Sequence, residues 1–205
     1  MPLVAPVLSS LILTQMASHG IMGQSSPQLA TALGTGIVNS ILTTGIYTGA
    51  SNGLGLGVGM STGTITGAAI IGSSVTGLLM TNATAFGLVG QSVFQLMDSV
   101  GQAFAAHMST ALVIGTSTVV AIGSGTGIIT GIVAPVMSAA IYAQMLVMGL
   151  AGSMSTQLAS TVGTAISTAI STSIVNTTIT GVAIGPIPPI FAPIPSVGTD
   201  VGKII

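Results

Sequence analysis

Residues 1–97 contain no Asp, Glu, Lys or Arg, and the whole 205-residue chain has only Asp98, Asp200 and Lys203. These four residue types make up about 25% of an ordinary soluble domain; here they make up 1%. A monomer free in water would lack the charged surface that keeps domains apart. The chain must therefore cover most of its outside with lipid, with copies of itself, or with a larger assembly. Intrinsic disorder runs against the same composition. Disordered chains pair low hydrophobicity with high charge, whereas this chain has a mean hydropathy of +0.99.

The missing side chains also exclude kinds of chemistry. One Lys and no Arg leave nothing to neutralise a phosphate backbone, so direct nucleic-acid binding is not expected. His19 and His107 stand far apart in a chain without cysteine, which is no metal-ligand pattern. The glycine run 53–59 has neither the Gly-x-Gly-x-x-Gly fingerprint nor the Lys-Ser/Thr of a phosphate loop. No cofactor or metal is expected. Asp98 and His107 lie about two and a half helical turns apart and could join one of the many serines. No Gly-x-Ser-x-Gly elbow supports a catalytic triad, and the chain reads as non-enzymatic. In an oligomer, a ring of Asp98 or His107 could instead form a polar constriction. The eleven methionines are read as gap fillers between helices.

Helix signals recur along the chain. Residues 6–18 read as a short helix closed by Gly20. Ser26 suits an N-cap with Pro27 at the first helical position. Leu29, Leu33, Ile37 and Ile41 then repeat every four residues. Residues 86–112 read as an amphipathic helix on the steps of Val89, Val93, Leu96, Val100, Phe104 and His107. The apolar tract 110–152, interrupted by Pro135, is long enough for two membrane passes or two buried helices. Leu158, Val162, Ile166, Ile170 and Ile174 keep another four-residue step.

Glycine dominates residues 45–77. Asn52-Gly53 suits a turn, and the alternation through residues 53–59 suits a strand. The same glycines also form four-residue ladders: Gly45, Gly49, Gly53 and Gly57; Gly55, Gly59, Gly63 and Gly67; and further on Gly123, Gly127 and Gly131. On helices such ladders form flat grooves for close packing and oligomer contacts, and this is the favoured expectation. A β-rich, Thr/Gly-stacked architecture ranks below it. Residues 28–35 resemble residues 157–164. Ile46-Tyr47 resembles Ile141-Tyr142 at a different offset, so a chance likeness within a biased alphabet is preferred to a true repeat.

Composition changes sharply at residue 185. Pro186, Pro188, Pro189, Pro193 and Pro195 surround Phe191, and such a segment is extended. It reads as an arm lying across a neighbouring subunit. The chain thus divides into an apolar helical oligomerisation region, 1–184, and a Pro-rich arm with a polar end, 185–205. The expected fold is mainly α: Gly/Ala/Ser/Thr-rich apolar helices packed in a homo-oligomer.

Pro6-Val-Leu-Ser-Ser, followed by Leu29-Ala-Thr-Ala-Leu-Gly-Thr-Gly-Ile-Val-Asn-Ser-Ile and a Gly-rich apolar stretch, resembles small virion proteins of tailed bacteriophages. The likeness covers about the first 60 residues, is mainly compositional, and carries over no functional residue. It implies a place in the tail, baseplate or neck, or among internal proteins ejected with the genome. Expected partners are copies of the chain, other virion proteins and, during delivery, a host membrane. The competing expectation is a membrane-inserted oligomeric pore of the holin type. Membrane helices usually carry basic flanks and aromatic belts, which this chain lacks.

Overall fold

The computed structural model describes residues 3–44, 46–54, 59–64, 70–117, 122–183 and 195–204. Two helices are followed by two strands, three times over. The first unit is α1 (Ala5–Ser18), α2 (Ser26–Thr44), β1 (Ile46–Leu54) and β2 (Gly59–Thr64). The second is α3 (Gly72–Ala85), α4 (Gln91–Met108), β3 (Leu112–Ser117) and β4 (Ile122–Thr130). The third is α5 (Ala134–Val147), α6 (Ser155–Ser171), β5 (Ile174–Ala183) and β6 (Pro195–Ile204). The chain is mainly helical, as the apolar four-residue steps predict.

The likeness of residues 28–35 to 157–164 is therefore a true repeat with a third copy between them, not chance. Each unit carries Gly-[Ile/Leu]-x-Gly, then Gln-Leu, then Gly, at equal spacing: Gly20, Gly23, Gln28, Leu29 and Gly34; Gly87, Gly90, Gln95, Leu96 and Gly101; Gly149, Gly152, Gln157, Leu158 and Gly163. The first glycine of each set has φ of +69, +76 or +80° and ends the first helix. Ile21 N–H donates to the Met16 carbonyl (2.8 Å), Leu88 to Ala83 (2.9 Å) and Leu150 to Met145 (2.8 Å). This six-to-one bond is the Schellman C-cap, which a left-handed glycine permits. The Ile46-Tyr47 and Ile141-Tyr142 pair is the coincidence: one lies in β1 and the other in α5.

The last glycine of each set brings two helices together. A Cβ on Gly34 would stand 2.7 Å from the Ser9 nitrogen, one on Gly101 2.9 Å from that of Thr76, and one on Gly163 2.7 Å from that of Ser138. Each helical hairpin thus closes around a backbone contact that any larger residue blocks. The hairpins also touch each other, α2 on α3, α4 on α5 and α6 on α1, and close a ring of six helices. Its core repeats in threes: Leu8, Val75 and Met137; Ile12, Leu79 and Ile141; Leu33, Val100 and Val162; Ile37, Phe104 and Ile166; Ile41, Met108 and Ile170, all fully buried. Each such side chain contributes about 1.5–3 kcal/mol relative to exposure.

The strands form a closed antiparallel barrel in sequence order, with β6 returning to β1. Pairing carries Asn52 to Met60, Thr116, Thr126, Asn176, Lys203 and back to Ile46, a stagger of six residues around six strands. Equal stagger and strand number give a tilt of about 36° and a backbone radius of about 6 Å. Residues two apart share a strand face. Val113, Gly127 and Ile129 are buried while Ile114 and Ile128 are exposed, which identifies the inner face. Carried through the registers, that face holds every glycine of the six strands: Gly49, Gly53, Gly59, Gly63, Gly115, Gly123, Gly125, Gly127, Gly181, Gly198 and Gly202. Eight strands leave an interior just wide enough for side chains. Six leave less, and glycine fills the need.

Several expectations change accordingly. Gly49, Gly53, Gly59, Gly63, Gly123 and Gly127 belong to strands, and Gly131 follows β4 with φ +92°; none lies on a helix. Gly45, Gly55, Gly57 and Gly67 lie outside the described residues. Asn52 and Gly53 pair within β1 and do not turn. The described residues of 110–152 include β3, β4 and α5, with Pro135 in the first turn of α5. Among the described residues no helix is long and apolar enough to cross a membrane. The segment expected as an arm from residue 185 divides. Pro186, Pro188, Pro189, Phe191 and Pro193 lie outside the described residues, whereas Pro195–Ile204 is β6 and pairs with β1 and β5 of its own chain. This extended end, which carries Asp200 and Lys203, completes the barrel because β1 and β5 otherwise present open edges.

Candidate functional site

The three Gly-[Ile/Leu]-x-Gly turns meet at the end of the helical ring remote from the barrel. Each turn joins the helix rising from the barrel to the one returning to it. Around the pseudo-threefold axis they leave two adjoining hollows of about 480 and 630 Å³. Their walls come from equivalent positions: Ile21, Leu88 and Leu150 from the Schellman caps, and Leu29, Leu96 and Leu158 from the first turn or two of the returning helices. Met22, Val89 and Met154 are 54, 71 and 46% exposed at the same turns. The result is an apolar crater with an apolar rim. No Asp, Glu, Lys, Arg or His lines it, and its polar groups are the Gln24 amide, serine hydroxyls and turn backbone. Such a surface matches uncharged, apolar matter in chemistry and brings together no pair of ionisable side chains.

Asp98 and His107 are not brought together. Asp98 is half-buried on α4, where its Oδ1 accepts hydrogen bonds from Thr76 Oγ1 at 2.9 Å and Gln102 Nε2 at 3.2 Å. Thr76 is the residue packed under Gly101, so Asp98 fastens the α3–α4 hairpin. The equivalent hydroxyls differ: Ser138 Oγ reaches the Ser160 carbonyl at 3.5 Å, and Ser9 Oγ is buried without a partner. His107 sits in the last turn of α4, its Nδ1 3.3 Å from the Ala103 carbonyl. His19 Nδ1 lies 3.0 Å from both the Gln15 carbonyl and Thr161 Oγ1, where α6 closes the ring on α1. Among the described residues no three His, Asp or Glu gather around a common point.

Ser26 differs from its expected role. It is the first residue of α2, and its hydroxyl accepts from Gly23 N–H at 2.7 Å within the turn. Most crater residues were open to detection in the sequence, because the tripled glycine motif brackets all of them but Met16 and Met145. Apolar periodicity alone assigns Ile21 to no element and puts Leu88 inside the helix expected over 86–112, whereas Leu88 lies in the turn between α3 and α4.

No protein-family model, curated protein or solved structure matches the chain.

Proposed function

We propose that this chain is a non-enzymatic structural protein of a large assembly, a virion component such as a part of the tail, baseplate or neck, or an internal protein. The carrying observation is its surface. Val89, Val147, Ile71, Val136 and Met22 are all more than half exposed, and few charged residues accompany them. The exposed hydroxyls make little claim on water either. Thr14, Thr31, Thr43, Thr81 and Thr84 donate to the carbonyl four residues earlier on their own helices, at 2.6–2.9 Å, as short polar side chains do on helices. An outside of this kind is stable when copies and neighbours cover it. Nothing in the crater or around Asp98 assembles a reacting group.

The competing idea, a pore lined by glycine-ladder helices, is less favoured, since Gly49, Gly53, Gly59, Gly63, Gly123 and Gly127 are in strands. A six-stranded barrel with its glycines turned inward is also too narrow for an aqueous bore through one copy.

Sedimentation velocity and light scattering on the separately expressed chain, without detergent, test the proposal. A particle of defined mass, many times the monomer, is expected. A monodisperse monomer at high concentration overturns it. Recovery only from membranes with detergent returns the pore to first place.

A further inference from the structure

Self-association needs a surface and an occupant, and this chain carries them at opposite ends of one axis. The crater is at the turn end of the ring. At the far end of the barrel β5 ends at Ala183 and β6 begins at Pro195, and the sequence between them, 184–194, is Ile-Gly-Pro-Ile-Pro-Pro-Ile-Phe-Ala-Pro-Ile. Hairpin connections are ordinarily polar, but none of these eleven residues has a polar side chain. We infer that segment 184–194 of one copy seats in the crater of the next, so that copies join head to tail along the pseudo-threefold axis. This rests on the self-associating reading proposed above.

Reach requires that the occupant come from another copy. The 19 residues of α2 span about 28 Å, and ten-residue strands tilted by about 36° add about 25 Å. The crater and the strand ends Ala183 and Pro195 are thus about 50 Å apart. Eleven residues anchored at Ala183 and Pro195, which bracket a paired strand end, extend out and back by no more than about 20 Å. Charge fits as well, since neither surface carries any. A proline-rich segment also loses little conformational freedom on docking. Hollows of about 480 and 630 Å³ accept a few aliphatic or aromatic side chains, not a folded domain. A contact between two different surfaces of the same molecule does not close on itself, so it propagates as an open stack.

The chain has no cysteine, so a pair of introduced thiols reports this contact without background. Val89→Cys combined with Phe191→Cys is oxidised mildly in the assembled protein and run on a non-reducing gel. A ladder of covalent multimers is expected, with each single-cysteine variant stopping at the dimer. Particles of native mass that yield nothing beyond dimer overturn head-to-tail stacking and leave self-association standing. A chain that is monomeric before oxidation overturns self-association itself. Val89→Glu supplies an independent reading, because Val89 is 71% exposed and its replacement leaves the core intact, as circular dichroism checks. It should weaken association by at least about tenfold, the consequence of burying an unpaired charge. Val136→Glu, exposed on α5 away from the crater, should not. Native-strength assembly of Val89→Glu overturns the inference.

Discussion

The helical ring and the barrel both depend on glycine, but for different spatial reasons. In the ring, one glycine per hairpin matters: Gly34, Gly101 and Gly163 each sit against one backbone nitrogen of a partner helix, and their neighbours are ordinary apolar core. In the barrel, all eleven strand glycines lie on one face of the sheet, because six strands enclose little space for side chains. A point contact tolerates change everywhere but at the point. A filled face tolerates it only on the other side.

The widest gap between the two should appear inside the barrel. Gly127 is buried between β3 and β5, paired with Gly115 and Val175. Gly127→Val adds three carbons inside a barrel whose backbone radius is about 6 Å, and closure denies the strands room to move apart. A loss of about 4 kcal/mol or more, or no folded protein, is expected in urea unfolding. Ile128→Thr, at a position 50% exposed on the opposite face, should stay within about 1 kcal/mol. Equal effects at the two sites would mean that the glycine face is not the inner one.

The ring offers a gentler contrast, with opposite signs. Gly34→Ala, Gly101→Ala and Gly163→Ala must each push a helix off its partner's backbone, at a cost of about 1–3 kcal/mol. Gly77, exposed within α3, would meet nothing within 4 Å on gaining a Cβ. Gly77→Ala should therefore stabilise by about 0.4–1 kcal/mol through the unfolded chain. Thermal unfolding of the four variants decides this, and a stabilised Gly101→Ala would remove the claim that these glycines set the helix approach.

The same contrast explains what the sequence made legible. Helices α1, α2, α4 and α6 were readable because Leu29, Leu33, Ile37 and Ile41, and Leu158, Val162, Ile166 and Ile170, keep a helical step across a stripe that the ring does bury. Barrel glycines misled because a four-residue spacing is also a multiple of two. Gly49 and Gly53, or Gly59 and Gly63, share a face on a helix and on a strand alike. What separates the cases is the residue between them: Ser51, Ser61 and Gly125 are small too, as a crowded strand face demands and a helix does not. The repeat was masked by one false pair, Ile46-Tyr47 with Ile141-Tyr142, although Gly20-Ile-Met-Gly, Gly87-Leu-Val-Gly and Gly149-Leu-Ala-Gly state it outright. The crater was hidden with it, because a surface built from three distant turns shows only when the turns are known to be equivalent.

The smallest expected effect concerns how the three units are joined. Two of the three seams between units are crossed by the chain, through residues 65–69 and 131–133. The third is closed only by contact, α6 on α1 and β6 on β1. Threefold equivalence makes the position of the open seam nearly indifferent. A circular permutant that joins Ile204 to Leu3 through about six Gly/Ser residues and opens within 65–69 should keep the fold. Its stability should fall slightly, because the new open seam is the β2–β3 pair, with six register pairs, where β1–β6 has nine. A loss of about 1 kcal/mol, or about 2–4 °C in Tm, is the expected scale. Loss of the barrel with the helical ring intact would show that closure depends on covalent passage across β2–β3, and that the ring and barrel do not share their symmetry equally.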